Sequence, residues 1–317
     1  MNARSESLAA SMAVDLAEPP PPGLEPLIEA LRDRYGDALR AIVLYGSCRR
    51  NADVTDGLVD LMAVVGGYRQ AHGRGPLGLL TSLFNALLPP NVYYLEAGPA
   101  QARVRCKFIV VSEATLDRRT GGGLDAYFWA RFAQPCRLVH RVDEAAADRV
   151  ARYRARAART FARQSRTLGD GRIDSRGFWI RAVQATYGCE LRPEPPGSAA
   201  VLIDRDPAFW QAISALVLPG LPGVESIDGS EYRIETGRLE RAAGRMRWRL
   251  RRGWGKTLNV LRLFKAAGTF SNGIDYLVWK IERHSGIRVE PTERMRRWPR
   301  FSGLVLLARL WRRGAFR

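Results

Sequence analysis

The chain has 317 residues and 46% hydrophobic content, enough material for one large or two ordinary soluble domains. Its 50 Lys and Arg outnumber 32 Asp and Glu, and the net charge of +18 favours an anionic partner such as nucleic acid, a nucleotide or an acidic membrane surface. The 4 cysteines form no CxxC pair and the 3 histidines have no metal-ligand spacing, which argues against zinc and fits a reducing compartment. Because there is no secretory signal and no apolar run of the ~20 residues that span a bilayer, we expect a cytosolic or peripherally membrane-bound protein.

The first half of the chain predicts a mixture of helices and strands. Residues 1–22 end in four prolines and are expected to be a disordered leader. Apolar periodicity then predicts a helix over 24–35, strands over 41–45 and 58–65, a helix over 77–88, strands from 91 and over 103–111, a helix over 124–132 and a strand over 136–139. These elements make up an α+β domain over residues 23–143.

From residue 144 the pattern is helical. Helices are predicted over 143–168, 177–187, 207–217, 239–252, 256–267 and 274–284, which gives a second, helical domain over 144–290. Residues 291–317 place Phe, Leu and Trp on one helical face and arginines elsewhere, a pattern typical of a basic amphipathic helix at a membrane. The alternative for this tail is a helix that packs on the protein's own core.

The first two predicted strands flank a motif suited to nucleotide phosphates. Gly46 and Ser47 follow the first strand, and Asp60 lies near the start of the second, after twelve intervening residues. Glycine lets the backbone approach a triphosphate, while the serine hydroxyl and the following amides can donate hydrogen bonds to phosphate oxygens. Asp60 would offer a hard oxygen ligand to Mg²⁺. The alternative is an ordinary tight turn with Asp60 solvated at a strand end.

This motif resembles the nucleotidyltransferase superfamily that includes DNA polymerase β. Its members have a Gly-Ser pair, a short connection and an Asp-x-Asp pair. Gly46, Ser47 and Asp60 match this pattern, whereas Met62 stands at the position of the second acid. The resemblance implies a nucleotidyltransferase-like mixed sheet in the first domain.

Five later segments narrow the resemblance to one family. They are Asn91–Tyr94 (NVYY), Arg103–Ser112 (RVRCKFIVVS), Ala130–Val139 (ARFAQPCRLV) and Ala185–Arg192 (ATYGCELR), and a fifth, Leu261–Gly268 (LRLFKAAG), follows them. In order and spacing they resemble the mitochondrial translocator assembly and maintenance family, the soluble type of phosphatidate cytidylyltransferase, and the chain is similar to a bacterial member. That family also lacks the second acid, so Met62 agrees with it.

The resemblance implies the reaction of CTP with phosphatidate to give CDP-diacylglycerol and pyrophosphate, with Mg²⁺ or a similar divalent cation. Such a protein acts peripherally, here on the cytoplasmic side of the inner membrane, with CTP, phosphatidate and an anionic membrane surface as partners and no nucleic acid. Asp60 and Glu190, which stands where the family has Asp, would be the metal carboxylates. Lys107 and Lys265 would neutralise phosphate charge. Tyr93, with Tyr94, would stack on the cytosine, and Arg131 would contact phosphate.

Each of these residues also has a plainer interpretation. Asp60 is then a turn acid, Glu190 a solvated helix-end acid, Lys107 a sheet-edge lysine, and the tyrosines are half-buried strand aromatics. Two other functions stay open: a nucleotidyltransferase of the same fold that acts on RNA or on a small hydroxylated substrate, and a non-catalytic basic protein that binds RNA or membranes.

Overall fold

The computed structural model describes residues 3–50, 54–55, 57–191 and 195–269. The predicted helix over 274–284, the end of the predicted second domain and the predicted membrane-contacting tail over 291–317 lie outside the described residues. None of the described helices is both long enough and apolar enough to cross a bilayer.

A five-stranded mixed sheet forms the centre of the fold. Its strands are β1 (Leu39–Tyr45), β2 (Val59–Val65), β3 (Asn91–Ala97), β4 (Val104–Ser112) and β5 (Arg137–Arg141). They lie in the order β3-β4-β2-β1-β5, with β2 and β4 parallel and the other neighbours antiparallel. The apolar runs of the sequence predict these strands because each inner strand is buried on both of its faces. The predicted α+β class is confirmed.

Helices cover both faces of this sheet and continue beyond it. They are α1 (Ala3–Ala17), α2 (Glu25–Tyr35), α3 (Tyr68–His72), α4 (Pro76–Leu87), α5 (Glu113–Thr120), α6 (Ala126–Phe132), α7 (Glu144–Ser165), α8 (Ser175–Tyr187), α9 (Ser198–Asp204), α10 (Pro207–Val217) and α11 (Arg238–Thr269). Aspartates cap three of the predicted helices: Asp125 accepts from the amide of Tyr127 in α6, Asp143 from that of Ala146 in α7, and Asp174 from that of Gly177 in α8.

The alternation of side chains along the strands separates two cores. On one face, Val43, Met62 and Ile109 pack in a cluster with Trp129 of α6 and Phe161 of α7. On the other face, the neighbouring strand residues, including Leu61 and Phe108, pack with Leu27 and Leu31 of α2. A residue's position in its strand therefore decides which core it faces.

The prediction of a disordered leader is wrong for residues 3–17, which form α1. Leu8 and Met12 are fully buried and Leu16 nearly so, because their four-residue spacing places them on one helical face. Asp15 on the same helix pairs with Arg137 and Arg154 at 3.0 and 2.7 Å. The proline run follows this helix, and it dominated the prediction although the residues before it are helix-forming.

The region after residue 144 differs from the predicted all-helical domain. It contains a three-stranded antiparallel sheet of β6 (Gly171–Asp174), β7 (Val224–Ser226) and β8 (Glu231–Ile234), in the order β6-β8-β7. Strands of three or four residues are too short for the alternation that reveals a strand. The core is also continuous across the predicted boundary at residue 143, since one apolar cluster contains residues of the large sheet, α7, α8 and α10. Finally, α11 is one helix where the sequence predicted two.

Candidate functional site

Four polar side chains form a row across the large sheet. The strand register sets Tyr45 of β1 opposite Asp60 of β2, Asp60 opposite Lys107 of β4, and Lys107 opposite Tyr94 of β3. Residues directly opposite one another point to the same face of a sheet, here the face covered by α6 and α7. We call Tyr45, Asp60, Lys107 and Tyr94 the site row.

The centre of the site row is an ion pair between Asp60 and Lys107. The Lys107 Nζ lies 2.9 Å from Asp60 Oδ1, and the two side chains stay 33% and 25% exposed, respectively. Because β4 lies between β2 and β3, Lys107 is not a sheet-edge residue, and that alternative is excluded. The pair is thus part of the sheet interior and still accessible to a ligand.

Gly46 lies against the same carboxylate. Its φ is +81°, in the left-handed region, and a Cβ placed there would lie 2.9 Å from Asp60 Oδ2. Ser47 follows on the surface and begins a short 3₁₀ turn that ends at Arg50. Arg49 anchors this turn, because its Nη2 donates to both carboxylate oxygens of Asp206 at 2.7 Å. An exposed Gly-Ser backbone is therefore held beside the Asp60 carboxylate, as the sequence motif predicts.

Arg131 of α6 connects the site row to Glu190. Its Nη2 lies 3.5 Å from Glu190 Oε1, and its guanidinium lies 5.0 Å from the ring centroid of Tyr127 and 5.9 Å from that of Tyr45. Burial opposes the charge of Arg131, but Tyr127, Tyr45, Glu190 and Asp60 together raise its pKa above the ordinary value. The guanidinium therefore stays a cation between two carboxylates.

Arg131 and Glu190 also line a cleft of about 200 Å³ between α6, the end of α8 and α11. Asp125, Asn259 and Arg262 line it as well. Arg262 is buried, forms an ion pair with Asp125 and donates from Nε to the Pro89 carbonyl at 2.8 Å. The cleft is thus polar, with cations on two of its sides.

Tyr93 does not join the site. It lies on the opposite face from the site row, 8% exposed, with its ring stacked 5.3 Å from that of Phe108 and with Arg34 4.8 Å above it. The reason is the two-residue period of the strand, which turns Tyr93 to the α2 core and Tyr94 to the site face. The predicted contact of Tyr93 with a nucleotide is therefore not supported, whereas Tyr94 faces Lys107.

Lys265 lies apart from the site row and is not among the residues that line the cleft. Its ammonium donates to the carbonyls of Leu88 and, at 3.0 Å, of Pro90, and so attaches α11 to the segment before β3. Burial, with a smaller contribution from Arg262, lowers its pKa to about 7. Its predicted role at a phosphate stays a prediction.

The donors fit a divalent cation only in part. Among the described residues, no three His, Cys, Asp or Glu side chains come together as a metal site, and Glu190 faces Arg131. Mg²⁺ is commonly held by one or two carboxylates, with substrate phosphates and water as its other ligands. Asp60, beside the exposed Gly-Ser turn, fits such a site, whereas Glu190 is paired with Arg131.

Sequence reasoning missed several residues of this region. Tyr45 could have been found, since it lies beside the Gly-Ser pair and strand alternation places it with Asp60. Tyr127, Asp125, Asn259 and Arg262 carried no signal, because the cleft unites helices more than a hundred residues apart in the chain.

No known family model matches the chain, and no curated protein matches it either. The function proposed below therefore rests on the geometry of the site row and the cleft together with the sequence resemblance.

Proposed function

We propose that the protein is a phosphatidate cytidylyltransferase that converts CTP and phosphatidate into CDP-diacylglycerol and pyrophosphate. The observation that carries the proposal is the Asp60–Lys107 pair, at 2.9 Å, beside a left-handed Gly46 and an exposed Ser47. A carboxylate, a cation and an exposed glycine turn at one point are the groups that a nucleoside triphosphate requires.

The phosphates of CTP would bind at the Gly46-Ser47 turn, where the missing Cβ leaves room for them and the amides can donate hydrogen bonds. Lys107 would then release Asp60 and pair with a phosphate oxygen, because the Lys107 side chain is partly exposed. Arg131 adds a second cation on the cleft side. A divalent ion held by Asp60 would neutralise further charge on the triphosphate.

The nucleophile is supplied by the lipid. A phosphate monoester is already anionic at neutral pH, so its oxygen needs no general base to attack the α-phosphorus of CTP. A new P–O bond forms, the bond between the α- and β-phosphates breaks, and pyrophosphate leaves with the bonding electrons. The chain's own contribution is to hold the two anions in line and to stabilise the charge that develops on the leaving group.

The polar cleft beside the site row is the proposed position of the phosphatidate headgroup. Arg131 and Arg262 provide cations there, although each already has a carboxylate partner. Since phosphatidate stays in the bilayer, the protein would work as a peripheral protein on the cytoplasmic side of a membrane.

The test is to incubate the purified protein with labelled CTP, phosphatidate and Mg²⁺, with Asp60→Asn as the control. We expect CDP-diacylglycerol and pyrophosphate in equal amounts from the wild type and almost none from the variant. Parallel reactions should replace phosphatidate with RNA or with a small polyol, because the net charge of +18 also suits a polyanionic substrate. Transfer of CMP to either of these and not to the lipid would overturn the proposal.

A further inference from the structure

Helix α4 is inverted relative to an ordinary surface helix. Its sequence, PLGLLTSLFNAL, has no charged residue, and its large apolar side chains point outward: Leu77, Leu79, Leu80, Leu83, Phe84 and Leu87 are 77, 41, 50, 53, 49 and 67% exposed. Its buried residues are the polar Ser82 and Asn85, which are 6 and 0% exposed. An amphipathic helix normally does the reverse.

Hydrogen bonds hold α4 in this orientation. The Asn85 Oδ1 accepts from the amide of Asn91 at 2.8 Å, and its Nδ2 lies 3.4 Å from the Val110 carbonyl. The Ser82 hydroxyl lies 2.9 Å from the carbonyl of Tyr68. Turning the leucines inward would leave these buried polar groups without partners, so the apolar face is a fixed feature of the surface.

The end of α4 is attached to α11, which has an apolar outer stripe of its own. Lys265 and Arg262 of α11 donate to the carbonyls of Leu88, Pro89 and Pro90, directly after α4. The stripe consists of exposed residues at helical spacing: Met246, Leu250, Trp254 and Leu261. Exposed cations accompany it along the helix: Arg245, Arg249, Arg252 and Lys256. Glu240 is the single acid of α11.

We propose that the outer face of α4 and the outer stripe of α11 form the surface by which this protein docks on an anionic lipid bilayer. Apolar residues without charge can enter the acyl boundary, while arginines beside them attract lipid phosphates. This charge complementarity favours an anionic membrane over a protein partner. A helix of this length covers roughly 18 Å, at about 1.5 Å per residue, and would lie in the plane of the interface. The inference rests on the proposed function for its relevance, since phosphatidate stays in the membrane, but binding tests it independently of activity.

The experiment is co-sedimentation of the full chain with phosphatidylcholine vesicles that contain or lack phosphatidate. We expect the wild type to bind the phosphatidate vesicles and Leu80→Ser/Phe84→Ser to bind about tenfold less, or weaker still. Val14→Ser, at a 70% exposed position of α1, is the matched control and should bind like the wild type. Arg249→Gln/Arg252→Gln should bind phosphatidate vesicles less than the wild type does, while its binding to vesicles of phosphatidylcholine alone should change little. Circular dichroism melts confirm that each variant is folded.

Three results would overturn the inference. The first two are unchanged vesicle binding by Leu80→Ser/Phe84→Ser and an equal loss of vesicle binding by the control Val14→Ser. The third is a wild-type dimer that Leu80→Ser/Phe84→Ser converts to monomers, which would make α4 a protein–protein interface. Activity on a soluble short-chain phosphatidate should survive in every variant. If the wild type also has no activity on this substrate, the proposed function is refuted. The docking surface is then judged from vesicle binding alone.

Discussion

Two aspartate-centred charge clusters in this protein have opposite designs. Asp15 is 8% exposed, accepts hydrogen bonds from Arg137 and, at 3.1 Å, from the amide of Cys136, and forms an ion pair with Arg154. Asp60 pairs with Lys107, interacts electrostatically with Arg131 and keeps a quarter of its side chain exposed beside a glycine turn. A charge that is buried and fully bonded holds elements together, whereas a charge that stays accessible beside an exposed turn can accept a ligand.

The largest expected effect comes from Asp15→Asn. The variant leaves Arg154 buried without its counter-charge and Arg137 with only the exposed Glu18, and breaking such a buried pair costs about 3–5 kcal/mol of unfolding free energy. The measurement is urea denaturation followed by circular dichroism. CTP binding at temperatures where the variant is still folded should be unchanged. A stability loss below about 1 kcal/mol would mean that the cluster does not hold α1 on the core.

The same Asp→Asn change at the accessible Asp60 should have the opposite result, a large loss of activity with little loss of stability. Asp60→Asn is expected to lower cytidylyl transfer by at least ~100-fold, because a charged group that positions phosphates is lost. Its unfolding free energy should change by less than about 1 kcal/mol, since partly exposed ion pairs contribute little. Turnover near the wild-type value in the folded variant would remove Asp60 from the site.

Comparison of Gly46→Ala with a control variant distinguishes the cost of backbone strain from the effect of displacing the Asp60 carboxylate. Alanine at a positive φ costs about 1–2 kcal/mol of stability, and here its Cβ would also meet Asp60 Oδ2 at 2.9 Å. Gly229→Ala is the matched control, because Gly229 has φ +85° and nothing within 4 Å of its Cβ position. Both variants should lose similar stability, and activity should fall in Gly46→Ala alone. Equal activity in the two would show that Gly46 does not shape the site.

A further prediction concerns pH. Burial lowers the pKa of Lys265 to about 7 from 10.5, so between these values the unfolded chain binds more protons than the folded one. The contribution of Lys265 to unfolding free energy therefore rises with pH across this window and is lowest below pH 7. Lys265→Met should show a flatter dependence than the wild type in denaturant titrations from pH 7 to 10. Parallel curves for the two proteins would mean that Lys265 keeps an ordinary pKa in the folded state.

Much of the large sheet and part of the candidate site could be predicted from the sequence. Apolar runs predict β1 and β2, and the motif between them predicts the meeting of Gly46, Ser47 and Asp60, because it depends on two neighbouring strands. Arg131 and Glu190 were named from the family resemblance, but their contact at 3.5 Å brings together α6 and the end of α8 across 58 intervening positions, and local sequence patterns do not predict contacts at such a separation. Tyr93 faces the core under α2, and its predicted nucleotide contact stays a prediction; the sequence alone does not show which of the two tyrosines faces the site. The helix over 3–17 was missed because the prediction relied on the prolines that follow it and not on the helical spacing of the apolar residues before them.

The most direct test of the Asp60-centred site is the equilibrium binding of CTP, measured by calorimetry with and without Mg²⁺. For the wild type we expect Mg²⁺ to tighten binding at least ~10-fold, because the ion would join Asp60 to the triphosphate. Asp60→Asn should abolish that strengthening, and Asp15→Asn, measured where it is folded, should keep it. Identical Mg²⁺-dependent binding by the wild type and Asp60→Asn would contradict the assignment of the site row as the nucleotide site.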